Sequence, residues 1–110
     1  MSFHVSAENI RVDDGHILRA ALRNENGDLN ETEIDLNNCL GNNDGHFEWN
    51  GNGYSNSAEE IHFSIEGGDN VPILRARLFN LGGEAIDADC NLSERIGNDN
   101  GNFVFSELNG

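Results

Sequence analysis

Apolar residues in this chain come in short bursts separated by clusters of Asn, Asp and Gly. The clearest alternation is in "HFEW", where Phe47 and Trp49 alternate with His46 and Glu48, and in "NFVF", where Phe103 and Phe105 do the same. A period of two marks a half-buried strand. The run "HILRAALR" passes from Ile17 through Ala21 to Arg23, between Gly15 and the turn "NENGD". Asn-Gly or Gly-Asp between apolar runs predicts a hairpin, and "NLGGE" (Asn80 to Glu84) takes the same place further on. Two segments, "SAENI" (Ser6 to Ile10) and "SAEEI" (Ser57 to Ile61), open on Ser with a Glu soon after. Each predicts the start of a short helical turn, too short to stand as a helix alone. "EGGDNVP" (Glu66 to Pro72) reads as a loop. The pattern is that of a mostly β chain with short helical turns.

The same pattern is written twice. "SAENI" pairs with "SAEEI", "ILRAALRN" (Ile17 to Asn24) with "ILRARLFN" (Ile73 to Asn80), and "EIDLNN" (Glu33 to Asn38) with "DCNLSE" (Asp89 to Glu94). "LGNNDGHFEW" (Leu40 to Trp49) then pairs with "IGNDNGNFVF" (Ile96 to Phe105). The blocks keep their order, so the chain is a tandem repeat. A unit of about fifty residues buries too little of its surface to be stable alone, and the two units are expected to share a core. The aromatic strand that ends each repeat suits packing of one against the other.

Charge narrows the function. Lys and Arg number 6 against 20 Asp and Glu, a formal charge of −14. Nucleic-acid binding draws its affinity from basic side chains, and anionic membranes attract them too, so neither partner is expected. No apolar run approaches a membrane span, which excludes insertion by a helix. The N-terminal residues show no signal peptide. Cys39 and Cys90 occupy non-equivalent places in the repeats and read as free thiols in a reducing compartment, so a cytoplasmic or other intracellular location is expected. The acceptor patterns at Asn30 and Asn91 are then idle.

Three chemistries compete for "GNNDG" and "GNDNG" with the plain need of a left-handed turn for Asn, Asp and Gly. Calcium fails on spacing. With Gly45 or Gly101 at the fixed glycine of a calcium loop, the first ligand position falls on Leu40 or Ile96, and Gly51 stands where a closing Glu belongs. His4, His16, His46 and His62 share no ligand spacing, so no metal and no cofactor are expected. Catalysis lacks a nucleophile elbow, a phosphate loop or a distinguishable carboxylate pair. Sugar binding fits better. Asn and Asp side chains match vicinal hydroxyls with paired contacts, and a neutral ligand is indifferent to the net charge.

The chain resembles the cyanovirin-N homologue family of lectins. The tandem repeat, "IDLNNCLGNNDGHFEW" (Ile34 to Trp49) and "NLSERIGNDNGNFVF" (Asn91 to Phe105) carry the likeness. It implies one elongated, mostly β domain over 1–110, with repeats of about 1–50 and 51–110. The repeats exchange hairpins, so the two pseudo-symmetric lobes comprise about 1–39 plus 96–110, and 40–95. It also implies non-catalytic binding of high-mannose oligosaccharides or glycoproteins through terminal α1-2-linked mannose, one site per lobe.

By the same resemblance the middle-lobe site comprises Gly41, Asn42, Asn43 and Asp44, a second wall of Asn52, Asn56 and Ser57, and a third of Asn80, Leu81 and Gly83. Leu81 stands where members often place an Arg that gates the sugar. The terminal-lobe site comprises Asn98, Asp99 and Asn100, a wall of Phe3, Ser6 and Ala7, and a hairpin wall with Arg23 and Glu25. There Asn100 replaces an Asp, and Ala7 lacks an expected hydroxyl. Each site has lost a contact, so weak binding at only one of them is expected. The alternative is a structural or protein-interaction module of the same fold. The family's cysteine pairs fall at Glu8 with Leu22 and at Ala58 with Leu78, with Leu22 and Leu78 filling the core instead. The linker "NGNGY" (Asn50 to Tyr54) has Gly where some relatives have Pro, which favours a monomer over the alternative of a domain-swapped dimer.

Overall fold

A computed structural model of the chain describes residues 7–68 and 70–105. The first repeat contributes β1 (Glu8–Asp13), β2 (Ile17–Arg23), β3 (Leu29–Asp35), β4 (Leu40–Asn43) and β5 (His46–Trp49). The second contributes β6 (Ala58–Glu66), β7 (Val71–Phe79), β8 (Ala85–Asn91), β9 (Ile96–Asp99) and β10 (Asn102–Phe105). All pairings are antiparallel: β1-β2-β3 and β6-β7-β8 form three-stranded sheets, and β4-β5 and β9-β10 form separate hairpins. The β9-β10 hairpin packs against β3, and β4-β5 packs against β8. Each sheet is thus completed by a hairpin from the other repeat's side of the chain, and the molecule is elongated, 50 × 26 × 24 Å.

The core repeats with the sequence. Leu18 and Leu74, Leu22 and Leu78, Leu36 and Leu92, and Leu40 and Ile96 are buried pairwise in equivalent places and join one cluster. Sharing it lets two units of marginal size bury enough apolar surface to fold together. Trp49 stacks on Phe105 with ring centroids 5.7 Å apart, joining the two hairpins. Tyr54 is fully buried and meets Phe47 edge-on at 5.5 Å. Its hydroxyl donates to the carbonyl of Gly15, so the linker between repeats is tied into the first sheet. Cys39 and Cys90 are buried free thiols.

The structure corrects several expectations. The helical turn does not begin at Ser57; it spans Tyr54–Ser57 and Ala58 already belongs to β6. At the other copy Ser6 lies outside the described residues, and Glu8 begins β1. Two further turns of 3-10 helix, Leu36–Asn38 and Leu92–Glu94, are capped by Asp35 and Asn91 through Oδ1 to Asn37 N and Ser93 N, each at 2.9 Å. The loop after Glu66 is shorter than expected, because Val71 and Pro72 are already in β7. Pro72 lies beyond Ile73↔Asn91, the end of the β7-β8 register, where its missing N–H costs nothing to that ladder. Glu8 pairs with Ala21, not Leu22, whereas Ala58 does face Leu78. The two registers are equivalent, since Glu59 pairs with Arg77 as Glu8 does with Ala21 and the counterpart of Ala58 is Ala7; each then breaks at a bulge, between Glu8 and Arg11 and between Glu59 and His62, with Asn9 and Glu60 at φ of 57° and 53°.

Candidate functional site

The paired Asn/Asp/Gly segments form the tips of the two short hairpins. Asn43 pairs with His46 and Asp99 with Asn102, leaving Asp44-Gly45 and Asn100-Gly101 as two-residue turns. All four have positive φ, at 52°, 91°, 53° and 88°, the type I′ pattern for which Asp-Gly and Asn-Gly are selected. Local backbone geometry therefore accounts for the last two residues of each motif. It does not account for Asn42 and Asn98, which sit on strands.

Those two asparagines clamp the walls of each cluster. Asn42 Oδ1 accepts from Gly45 N at 2.8 Å. Its Nδ2 donates to Ser57 Oγ at 2.8 Å and to the carbonyl of Phe79 at 2.9 Å. Asn98 Oδ1 accepts from Gly101 N at 2.8 Å, and its Nδ2 donates to the carbonyl of Arg23 at 2.9 Å. The facing turns are braced identically. Asn80 Oδ1 accepts from Gly82 N and Glu84 N, both at 2.9 Å. Asn24 Oδ1 accepts from Asn26 N at 2.9 Å and Asp28 N at 3.0 Å. One further bond closes each cluster: Leu81 N donates to Asp44 Oδ1 at 2.9 Å, and Glu25 N to Asn100 Oδ1 at 2.8 Å. Both clusters are thus fixed as polar frames before any ligand arrives.

The docking surfaces differ. A Cβ on Gly45 would lie 2.9 Å from Ile86 Cγ1, whereas one on Gly101 would lie 3.0 Å from Asn30 Cβ. Asn30 also donates to the carbonyl of Gly101 at 2.7 Å, so the second hairpin is seated by a polar contact where the first uses an apolar one.

In the middle cluster the structure brings together Asn42, Asp44, Ser57, Asn80 and Leu81 through these bonds. Gly41 is buried and its α-carbon faces Gly51 and Asn52, where a Cβ would meet Asn52 N at 3.0 Å. Asn43, Asn52, Asn56 and Gly83 are exposed. In the terminal cluster it joins Arg23, Glu25, Asn98 and Asn100, with Asp99 exposed on β9. Ala7 is half-buried and packs on the core. Phe3 and Ser6 lie outside the described residues.

Sequence reasoning missed Asn37. It holds the Tyr54–Ser57 turn by three contacts: its Nδ2 donates to Ser55 Oγ at 2.7 Å, its Oδ1 accepts from Ser55 N at 3.1 Å, and its carbonyl accepts from Gly53 N at 2.8 Å. Asp35 caps the residue and also accepts His16 Nδ1 at 2.8 Å. The only local signal was Asp followed two residues later by Asn.

Two clefts of about 300 and 230 Å³ lie elsewhere, on the sheets beside the Asn9 and Glu60 bulges. Arginine and carboxylate on their walls form ion pairs, as Arg19 with Glu33 at 3.2 Å and Arg75 with Asp89 at 3.4 Å, although Arg19 Nε is buried without a hydrogen-bond partner. Glu66, held down to about 2 by hydrogen bonds from Arg75 and Ser64, belongs to the same ion-paired sheet face. The hairpin clusters, with open polar atoms fixed by internal bonds, are the stronger candidates. Among the described residues no group of three or more His, Cys, Asp or Glu is placed to hold a metal ion.

Comparison with known proteins gives a concordant result. Residues 3–104 match the family model of the CVNH domain. The chain is 48% identical over 107 residues to the Cyanovirin-N homolog of Neurospora crassa, covering 94% of this chain and 96% of that one. It is similar to the NMR structure of the Gibberella zeae CVNH protein, with a TM-score of 0.89 and 50% identity over 94% of this chain and 95% of that one. It is also similar to a designed Cyanovirin-N homolog lectin, LKAMG, with a TM-score of 0.91 and 45% identity over 96% and 100% of the two chains.

Proposed function

The chain belongs to the CVNH domain family, and from that premise we propose that it is a non-catalytic lectin that binds high-mannose glycans through terminal α1-2-linked mannose, weakly and at one of its two clusters. The observation that carries the reading is the repeated asparagine clamp. Asn42 and Asn98 fix two polar turns at the mouth of each cluster, each with a bond of 2.8 Å from the glycine N–H and one of 2.9 Å to the facing carbonyl. A preformed polar site spends less on ordering when a flexible, hydroxyl-rich ligand binds. Asp44 supplies a charged acceptor, which forms stronger bonds to hydroxyls than a neutral one. The similarity to a designed lectin at 45% identity supports the same assignment.

Titration of ¹⁵N-labelled protein with α1-2-linked mannobiose tests it. Saturable shifts confined to Asn42, Asp44 and Leu81, or to Asn98, Asn100 and Glu25, are expected. No shift at millimolar sugar overturns the reading.

A structural or protein-interaction role is the second reading. It is favoured by the use of both amide groups of Asn42 inside the protein and by Leu81, which is 92% exposed where a gating cation would be useful. The same titration separates the two.

A further inference from the structure

The two clusters share a frame but not a surface. Asp44 and Asn100 occupy equivalent turn positions, and each spends Oδ1 on a backbone N–H of the facing turn. That bond orients the side chain and leaves its second terminal atom outward. On Asp44 this atom is Oδ2, which only accepts; on Asn100 it is Nδ2, which only donates. Among the described residues neither atom has a hydrogen-bond partner. The residue giving the N–H differs as well. Leu81 presents an apolar side chain, 92% exposed, and Glu25 presents an exposed carboxylate. The negative charge has moved from the hairpin tip in one cluster to the facing turn in the other.

We infer, resting on the sugar-binding reading, that the clusters take different sugars: the middle one an unsubstituted hexose with free vicinal hydroxyls, the terminal one a sugar bearing an acetamido group. Two adjacent hydroxyls donate to the Asp44 carboxylate with charge-assisted bonds, while the C–H face of the ring lies on Leu81. An acetamido carbonyl placed there meets acceptor with acceptor and leaves both unpaired, which is a strong ground for rejection. At the terminal cluster that carbonyl finds the Asn100 Nδ2 donor, and the acetamido N–H finds the Glu25 carboxylate. A hexose without the group leaves this donor and acceptor partly unmatched.

Separate ¹⁵N titrations with α1-2-linked mannobiose and with N,N′-diacetylchitobiose test the inference. Mannobiose should move Asp44 and Leu81 at concentrations about tenfold below those that move Glu25 and Asn100, a difference in affinity of about 1.4 kcal/mol. Diacetylchitobiose should show the reverse order. The double variant D44N/L81E should lose the mannobiose response of the middle cluster and gain one to diacetylchitobiose. Each substitution places there a residue that the same frame already carries in the other cluster, and the spectrum itself reports folding. The reciprocal pair N100D/E25L supplies a second readout. If both clusters follow each sugar with the same midpoints, or the variants keep the original preferences, the inference is overturned while sugar binding itself stands, equal midpoints for mannobiose then giving two working sites in place of one. If neither sugar shifts any signal at millimolar concentration, both are overturned.

Discussion

The polar atoms that close each cluster come from side chains whose partners are distant in sequence. Asn42 reaches Ser57 and Phe79, and Asn98 reaches Arg23. Only the bonds back to Gly45 and Gly101 are local, so the sequence made the turn legible and the clamp invisible. The resemblance pointed to Asn42 as a sugar contact. Its amide, however, is committed to the frame, and the open atom of that turn belongs to Asp44. The cysteines were readable as free thiols, and their burial adds a pH dependence. Burial pushes Cys39 up to about 11, with Asp35 adding to the effect. Burial, helped by Glu94, Asp89 and Cys39, pushes Cys90 up to about 12. Tyr54 rises for the same reason. Above the ordinary thiol value of 9.0 the unfolded chain loses these protons while the folded chain keeps them, so stability falls as pH rises toward the folded values. Urea denaturation should show a lower midpoint at about pH 10.5 than at about pH 8, and the loss should shrink in a Cys39→Ala/Cys90→Ala variant. An unchanged loss would assign it to Tyr54 alone.

At the scale of elements, turn chemistry reads well where it is local. The β2-β3 and β7-β8 hairpins and the aromatic strands β5 and β10 stand where alternation and Gly-containing turns place them. The Tyr54–Ser57 turn was misplaced because Asn37, from a turn 18 residues earlier, holds it. The bulges at Asn9 and Glu60 were missed because a residue type seldom chosen for positive φ occupies one of them. Glycine tests how tightly the hairpins dock. Gly27 and Gly45 both have positive φ, 85° and 91°, but a Cβ on Gly27 meets nothing within 4 Å, and one on Gly45 lies 2.9 Å from Ile86. Gly27→Ala should therefore cost about 1 kcal/mol, for backbone strain alone. Gly45→Ala should cost about 2–3 kcal/mol, because overpacking adds to strain. Chemical denaturation measures both, and equal losses would mean that the hairpin shifts freely on β8.

At the scale of the molecule, charge and core pull in opposite directions. The net charge is −14; with 20 acids to 6 bases, repulsion among carboxylates outweighs the surface ion pairs. Such pairs are each worth about 0–1 kcal/mol and are screened as well. Added salt should accordingly raise the melting temperature, by a few degrees between about 10 and 150 mM NaCl. Calorimetry checks it, and a fall would show that the arginine pairs dominate. One cluster of buried residues drawn from both repeats resists this repulsion, and the Trp49–Phe105 stack fastens the hairpins across it.

The sequence by itself determined the period-two strands, the left-handed Asn/Asp/Gly turns, the duplication and the single shared core, because each follows from local backbone preference or from the apolar area a short unit lacks. The exchange of hairpins was implied by resemblance and not by the pattern along the chain; the tertiary structure seats β4-β5 on β8 and β9-β10 on β3. The tertiary structure alone decided that the asparagine amides are consumed within the clusters and which terminal atom of Asp44 and of Asn100 is left outward. These outcomes depend on bonds spanning 15 to 75 residues. Pattern along the chain carries no information about which distant carbonyl or N–H will satisfy a given side chain; packing of the two repeats settles it.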